Sequence, residues 1–437
     1  MIDHATRAAP ARPTALRRAA PALLGYAAVR ALGLLALAVW SAARGKSAYT
    51  LLTARWDSLW YARVAGGGYG YEVRLANGDV HSDLAFFPLL PWLERLLAAV
   101  GPLSYADAGF VVSLLASLAA AWGIFAVVDH VYGRTSGSTT LGAAVDAGGA
   151  AVDGGRAGLF AVLLWAALPV GIVQSMAYSE SLFTALAAWS LYCALTGRWV
   201  GAGALALAAG LTRPVGLAVV AAVWTAAVLS FVRNRSTPVP HGARTAPHAP
   251  ESVPRSPARR AALGGFRGLG DLGLPGLLGV LLAPLGAAGY VLWVGRRTDD
   301  GLFGYFDVQA GWRNGFDGGY AFARFVAAQL TSFPAALAGL GLIAGVALLV
   351  RLYVVGVRQR QPLPLLVYSG VVTALALCAS SYFGSKPRLL LPAFPLLLPL
   401  AAALARTRAA RAALVVGGVA LASAVYGAFW LNGSGPP

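Results

Sequence analysis

Charge is scarce in this 437-residue sequence: only 12% of residues are Asp, Glu, Lys or Arg, against about a quarter in a typical soluble domain. That shortage excludes a disordered chain, a coiled coil and an ordinary cytosolic enzyme. Cysteine is nearly missing too. Cys193 and Cys378 both lie inside apolar runs, so there is no disulfide framework and no cysteine metal motif. The five histidines include no paired metal-binding motif. There is no P-loop, and Gly66–Gly68 does not follow a strand and open a helix as a dinucleotide-binding turn must. No repeat of fixed period stands out.

What is present is hydrophobicity in long runs. Apolar residues make up 58% of the chain, and the mean hydropathy is +0.66. Length alone would suggest about three soluble domains, but runs of this kind belong in lipid. The pattern predicts an all-α polytopic membrane protein, a single integral membrane domain over residues 1–437. About 11 transmembrane helices are expected, near 20–43, 106–128, 157–177, 180–196, 198–212, 214–232, 271–294, 328–350, 363–382, 388–405 and 412–430. The first run follows Arg7, Arg12, Arg17 and Arg18 and contains Arg30. It is too long for a cleaved signal peptide and reads as an uncleaved helix. At 198–232, Arg213-Pro214 marks either a hairpin joint or a kink in one bent helix.

The net charge of +17 could point to nucleic acid in a soluble chain. Here the basic residues cluster between apolar runs, so they read as orientation signals, and no nucleic-acid partner is expected. With the N-terminus in the cytoplasm, inside segments hold 20 basic and 6 acidic residues. Outside segments hold 13 and 11, and Arg30 lies within a span. This asymmetry obeys the positive-inside rule and favours the hairpin at 198–232. A plasma-membrane protein follows, multi-pass, with its polar motifs outside. Residues 133–156 and 233–270, rich in Gly, Ala, Ser, Pro and Arg, read as flexible cytoplasmic loops. Residues 44–105 form a long first extracytoplasmic loop with interfacial helices, rich in Trp and Tyr.

Four outer positions can carry chemistry. Arg55-Trp56-Asp57-Ser58 opens the first loop. A carboxylate beside Trp56 near the membrane surface can serve as a general base, or Asp57 simply pairs with Arg55 or Arg63. Glu180, in Tyr178-Ser179-Glu180-Ser181, either sits at a favourable helix start or holds a sugar hydroxyl. Arg213 between two spans needs a partner. A lipid phosphate would suit it, and so would Asp57, Glu180 or Asp300. Lys386 and Arg388 run against the orientation rule, and either an anionic lipid-linked donor or plain headgroup contact explains them. The loop 295–327 covers an acceptor site or is a surface loop.

Taken in order, these motifs resemble the PIG-V family of mannosyltransferases, in its actinobacterial branch. The resemblance rests on Arg55-Trp56-Asp57-Ser58, Gly68-Tyr69 and Ala85-Phe86-Phe87-Pro88-Leu89-Leu90-Pro91. It continues through Tyr178-Ser179-Glu180-Ser181-Leu182-Phe183, Leu211-Thr212-Arg213-Pro214-Val215-Gly216, and Lys386-Pro387-Arg388 with Pro392. It implies a GT-C fold and an inverting membrane glycosyltransferase that moves mannose from a polyprenyl-phosphate donor to an extracytoplasmic glycolipid, polysaccharide or protein. By that resemblance Asp57 is the general base. Arg55, Trp56, Tyr69, Glu180, Arg213, Lys386 and Arg388 are the expected substrate-binding set, with the three cations on the departing phosphate. No cofactor is expected beyond the lipid-linked donor, and a divalent metal stays open. Expected partners are the donor, membrane lipids and a glycan or lipid acceptor. The rival reading is a transporter or lipid flippase. Such proteins favour ionisable groups near the bilayer midplane, whereas here the polar motifs gather on one side.

Overall fold

The structure, a computed structural model, describes residues 14–133, 152–235, 273–380, 382–433 and 435. The expected flexible loops at 133–156 and 233–270 fall largely outside these residues. The described chain is all-α apart from one small hairpin. Helix α1 spans Ala15–Ala43, with the Thr14 side chain accepting the Arg17 N–H at its start. The segment 44–105 follows, with α2 at Ala48–Thr53 and α3 at Asp57–Gly67. The hairpin pairs β1 (Glu72–Arg74) with β2 (Val80–Ser82), and α4 spans Leu89–Val100. Next come α5 (Tyr105–Gly133), α6 (Gly154–Ala166), α7 (Ser179–Leu195), α8 (Trp199–Gly210) and α9 (Gly216–Arg235). After them lie α10 (Gly273–Leu282), α11 (Leu285–Arg297), α12 (Gly304–Gly311) and α13 (Tyr320–Gln329). The described chain ends with α14 (Ala335–Arg358), α15 (Leu363–Cys378), α16 (Leu398–Arg406) and α17 (Ala409–Leu431).

Among the described residues, six helices are long and apolar enough to cross a bilayer, or seven if one bent pair is a single span. These helices make the chain a multi-pass membrane protein. The other expected segments fall on shorter helices. Two differ from the sequence reading for a local reason. The run 157–177 is not one helix, because α6 stops at Ala166. Pro169 cannot continue the hydrogen-bond ladder, and Gly171–Ser175 is a 3-10 turn. The freed carbonyls are then taken by side chains, as they must be in lipid. Arg30 donates to Ala166 and Gly171, Gln174 Nε2 to Trp165 O at 2.7 Å, and Ser423 Oγ to Leu168 O at 2.6 Å. The run 388–405 is likewise broken by Pro392 and Pro395, and its two parts bend by 74°. Trp165 Nε1 donates to Leu391 O and Tyr368 OH to Pro392 O, both at 3.0 Å, which pins this break.

The core is built from small residues: Ala157, Ala161, Ala188, Ala202, Ala206 and Ala222 are fully buried. Small side chains let helices approach in lipid, where packing rather than hydrophobicity holds them together. Glycine carries this furthest between α8 and the pair α10–α11. A Cβ on Gly279 would lie 2.2 Å from Trp199 O, and one on Gly286 would lie 1.9 Å from Leu207 O. Trp224 Nε1 of α9 donates to Val280 O at 3.0 Å, level with the start of α8, so α8 and α9 run as a hairpin. Gly286→Ala is therefore expected to cost about 1–3 kcal/mol of stability by overpacking. Gly289 on the same helix has open space around it, so Gly289→Ala should be near neutral. Thermal unfolding of the two variants side by side tests this.

The segment 295–327 folds onto the first loop. Trp312 Nε1 donates to Ser82 O at 3.0 Å, Gln309 Nε2 to Ala85 O at 3.3 Å, and Arg313 pairs with Asp79 at 2.6 Å. Trp60 bridges the two, stacked on Phe86 at 5.6 Å and edge-on to Trp312 at 4.9 Å. Asp83, fully buried, accepts N–H bonds from Gly70 and Tyr71 and so shapes the turn into the hairpin.

Candidate functional site

Four residues separated by more than 300 positions meet in one cluster. Asp57 is the first residue of α3, where a carboxylate is favoured by the helix dipole. The residue before it, Trp56, holds φ at 55°. That conformation is strained for a bulky side chain, and such strain gathers at functional sites. Ser58 fixes the turn: its Oγ donates to Arg55 O at 2.6 Å and accepts the Arg55 N–H at 3.0 Å. Arg55 lies over the Trp56 ring at 3.9 Å.

Glu180 is the second residue of α7 and is buried. Arg213 sits on the joint between α8 and α9. The Leu89 N–H bonds Leu211 O at 3.0 Å, which ties that joint to the first loop. Arg388 lies on the short helical turn Lys386–Leu389, just before the break at Pro392.

The four side chains form a chain of alternating charge. Arg213 Nη1 is 2.5 Å from Glu180 Oε1. Glu180 Oε1 is 3.7 Å from Arg388 Nε, and Arg388 Nη1 is 2.6 Å from Asp57 Oδ2. Two acids and two cations leave the cluster neutral. Asp57 is the most open member, its side chain 23% exposed, against 14% for Arg213, 10% for Arg388 and 2% for Glu180. Charges this enclosed are costly unless paired, which accounts for the alternation. Tyr178 lines the cluster, with Arg388 5.1 Å over its ring and its OH accepting the Asp57 N–H at 3.4 Å. Tyr61, one turn along α3 from Asp57, shares a 2.8 Å hydrogen bond with Ser179 Oγ. Burial pushes the Tyr61 phenol well up, even with Arg213 nearby, so it stays neutral.

Of the sequence candidates, Asp57, Glu180, Arg213 and Arg388 come together, with Arg55 and Trp56 beside them. Asp57 pairs with Arg388 rather than with Arg55 or Arg63; Arg63 lies over the Tyr71 ring at 3.7 Å. Two candidates lie in other surroundings. Lys386 Nζ donates to the end carbonyls of α15, Ala376 O at 3.0 Å and Ala379 O at 2.6 Å. Tyr69 OH donates to Phe86 O at 2.8 Å, and its ring packs on Trp293. Tyr61 and Tyr178 carried a signal that went unassigned, a tyrosine within four residues of each carboxylate. Among the described residues no group of three or more His, Cys, Asp or Glu is placed to hold a metal ion.

No family model matches the sequence, and no curated protein matches it. Two solved structures are similar. One is ArnT from Cupriavidus metallidurans in the apo state, 14% identical with a TM-score of 0.44, covering 80% of this chain and 55% of that one. The other is the same protein bound to undecaprenyl phosphate, 16% identical with a TM-score of 0.43, covering 86% and 59%. This chain thus spans little more than half the length of either, and the likeness carries no statement about activity.

Proposed function

We propose that the protein is a GT-C-type membrane glycosyltransferase. It would take a sugar, mannose by the motif resemblance, from a polyprenyl phosphate and transfer it to an extracytoplasmic acceptor. One observation carries the reading: a partly exposed carboxylate, Asp57, lies within one enclosed cluster with two guanidinium groups, Arg213 and Arg388. Inverting transfer from a lipid phosphate needs this pairing. The acceptor hydroxyl oxygen forms a bond to the sugar C1 from the face opposite the phosphate. Its proton passes to Asp57. The C1–O bond breaks, its electron pair goes to the departing phosphate, and the guanidinium groups stabilise that growing charge. Glu180 holds both guanidinium groups in place. Arg55 and Trp56 would border the acceptor side, and Lys386 would place the Arg388 turn through its bonds to α15. The reading places the N-terminus in the cytoplasm of a plasma membrane and the cluster outside, on the positive-inside asymmetry.

The test is sugar transfer in membranes supplied with labelled polyprenyl-phosphate mannose. Asp57→Asn should lower transfer by about 10²–10⁴-fold at unchanged expression. Wild-type-level transfer by this variant would remove Asp57 as the base. Movement of the lipid across the bilayer, with no transfer to any acceptor, would favour a flippase.

A further inference from the structure

Resting on that reading, we propose that the Asp57–Arg388 ion pair is a latch opened by the donor's phosphate, so that the base is released only when the donor is bound. The neutral cluster has no unpaired cation waiting for an anion: Arg213 has Glu180 at 2.5 Å, and Arg388 has Asp57 at 2.6 Å. A phosphate that takes up Arg388 Nη1 must displace Asp57, and one that takes up Arg213 Nη1 must displace Glu180; the two carboxylates differ. Glu180 is buried and lies near both guanidinium groups. Asp57 is the more exposed and has only Arg388 as a partner. Asp57 is therefore the group that yields.

Arg388 is also ready to change partners. Its Nη1 meets Asp57 at 2.6 Å, but its buried Nε lies 3.7 Å from Glu180 Oε1, beyond hydrogen-bond reach, and has no hydrogen-bond partner. A tetrahedral phosphate offers the fork geometry that guanidinium prefers. Exchange thus improves the bonding of Arg388 while freeing Asp57. A carboxylate released from its cation is open to the acceptor hydroxyl. The same event that loads the donor frees the base. Binding is then ordered, donor before acceptor, and without the donor the base is masked.

The test is equilibrium binding of farnesyl phosphate to the purified, full-length protein in detergent. If Asp57 competes with the phosphate for Arg388, Asp57→Asn should bind it about tenfold more tightly or better, although transfer is lost. The gain must also depend on Arg388. In a double-mutant cycle it should vanish in the Arg388→Gln background, whereas simple repulsion between Asp57 and phosphate would persist there. Equal affinity of wild type and Asp57→Asn, or a gain that survives in Arg388→Gln, overturns the latch while the transferase reading stands. A wild-type protein that neither binds farnesyl phosphate nor transfers sugar overturns both. A second measurement needs no variant. Carbodiimide labelling of Asp57, read by mass spectrometry, should rise when farnesyl phosphate is added to wild type. Unchanged or reduced labelling counts against the latch.

Discussion

Arg388→Lys is expected to reduce sugar transfer by about 10²–10³-fold, the usual effect of removing one charge-stabilising donor from an active site. The substitution keeps the positive charge, so a purely coulombic role would survive it. What it removes is reach and shape. Arg388 touches Asp57 through Nη1 and approaches Glu180 through Nε, two atoms on different edges of one planar group. A lysine ammonium is a single point and cannot meet both, nor can it offer a phosphate a fork. Arg388→Gln should be worse in a second way. It leaves Asp57 with no cation and Glu180 with Arg213 alone, and breaking an enclosed pair costs about 3–5 kcal/mol. Thermal stability should therefore fall in the Gln variant and hold in the Lys variant, while activity falls in both. Near wild-type turnover in Arg388→Lys would remove Arg388 from the chemistry.

The members of this cluster are more legible in the sequence than their pairing is. Asp57, Glu180, Arg213 and Arg388 stood out because a charge inside or beside an apolar run is expensive and needs a reason. That argument offered Glu180 among three partners for Arg213, the pair observed, but did not reach the partner of Asp57. It left Asp57 with Arg55 or Arg63 as the local choice, since sequence distance was the guide available. The observed partner is 331 positions away on a turn created by proline breaks. The fold shows the same division. Hydropathy found the apolar runs, but runs 157–177 and 388–405 are interrupted at Pro169 and at Pro392 and Pro395. A window average does not register a single proline. Nor does it foresee that Arg30, Gln174 and Ser423 take up the freed carbonyls. Lys386 shows the converse: the same kind of charge signal led to a lysine that satisfies the carbonyl end of a helix.

Glu94→Gln is expected to abolish most of the protein's loss of stability between mildly acidic and alkaline pH. Glu94 lies on α4 in the first loop and is 1% exposed. Its Oε2 has no hydrogen-bond partner, and the close fit over Gly109 leaves it no room, because a Cβ there would lie 2.4 Å from Glu94 Oε1. Burial alone pushes its carboxyl up from 4.5 to about 9. The folded protein therefore keeps Glu94 protonated at neutral pH, whereas the unfolded chain ionises it near 4.5. Folding takes up a proton between these values, so stability is full below about 4.5, falls as pH rises, and levels off above about 9. At pH 7 the linked loss is about 3 kcal/mol. Glutamine keeps the shape and cannot ionise. It adds an amide that also lacks partners, which offsets about 1–2 kcal/mol, so at pH 7 the net gain is about 1–2 kcal/mol. The distinctive readout is the slope. Wild-type Tm should fall steadily from pH 5 to 8.5, while the variant's curve is nearly flat and the two cross toward pH 5. Parallel curves would mean that Glu94 finds a partner and ionises normally in the folded state. Gly109 also abuts Ala177, next to Tyr178. Raising the pH past about 9 should therefore ionise Glu94, disturb the Asp57 cluster and cut transfer in the wild type, while Glu94→Gln keeps its transfer there.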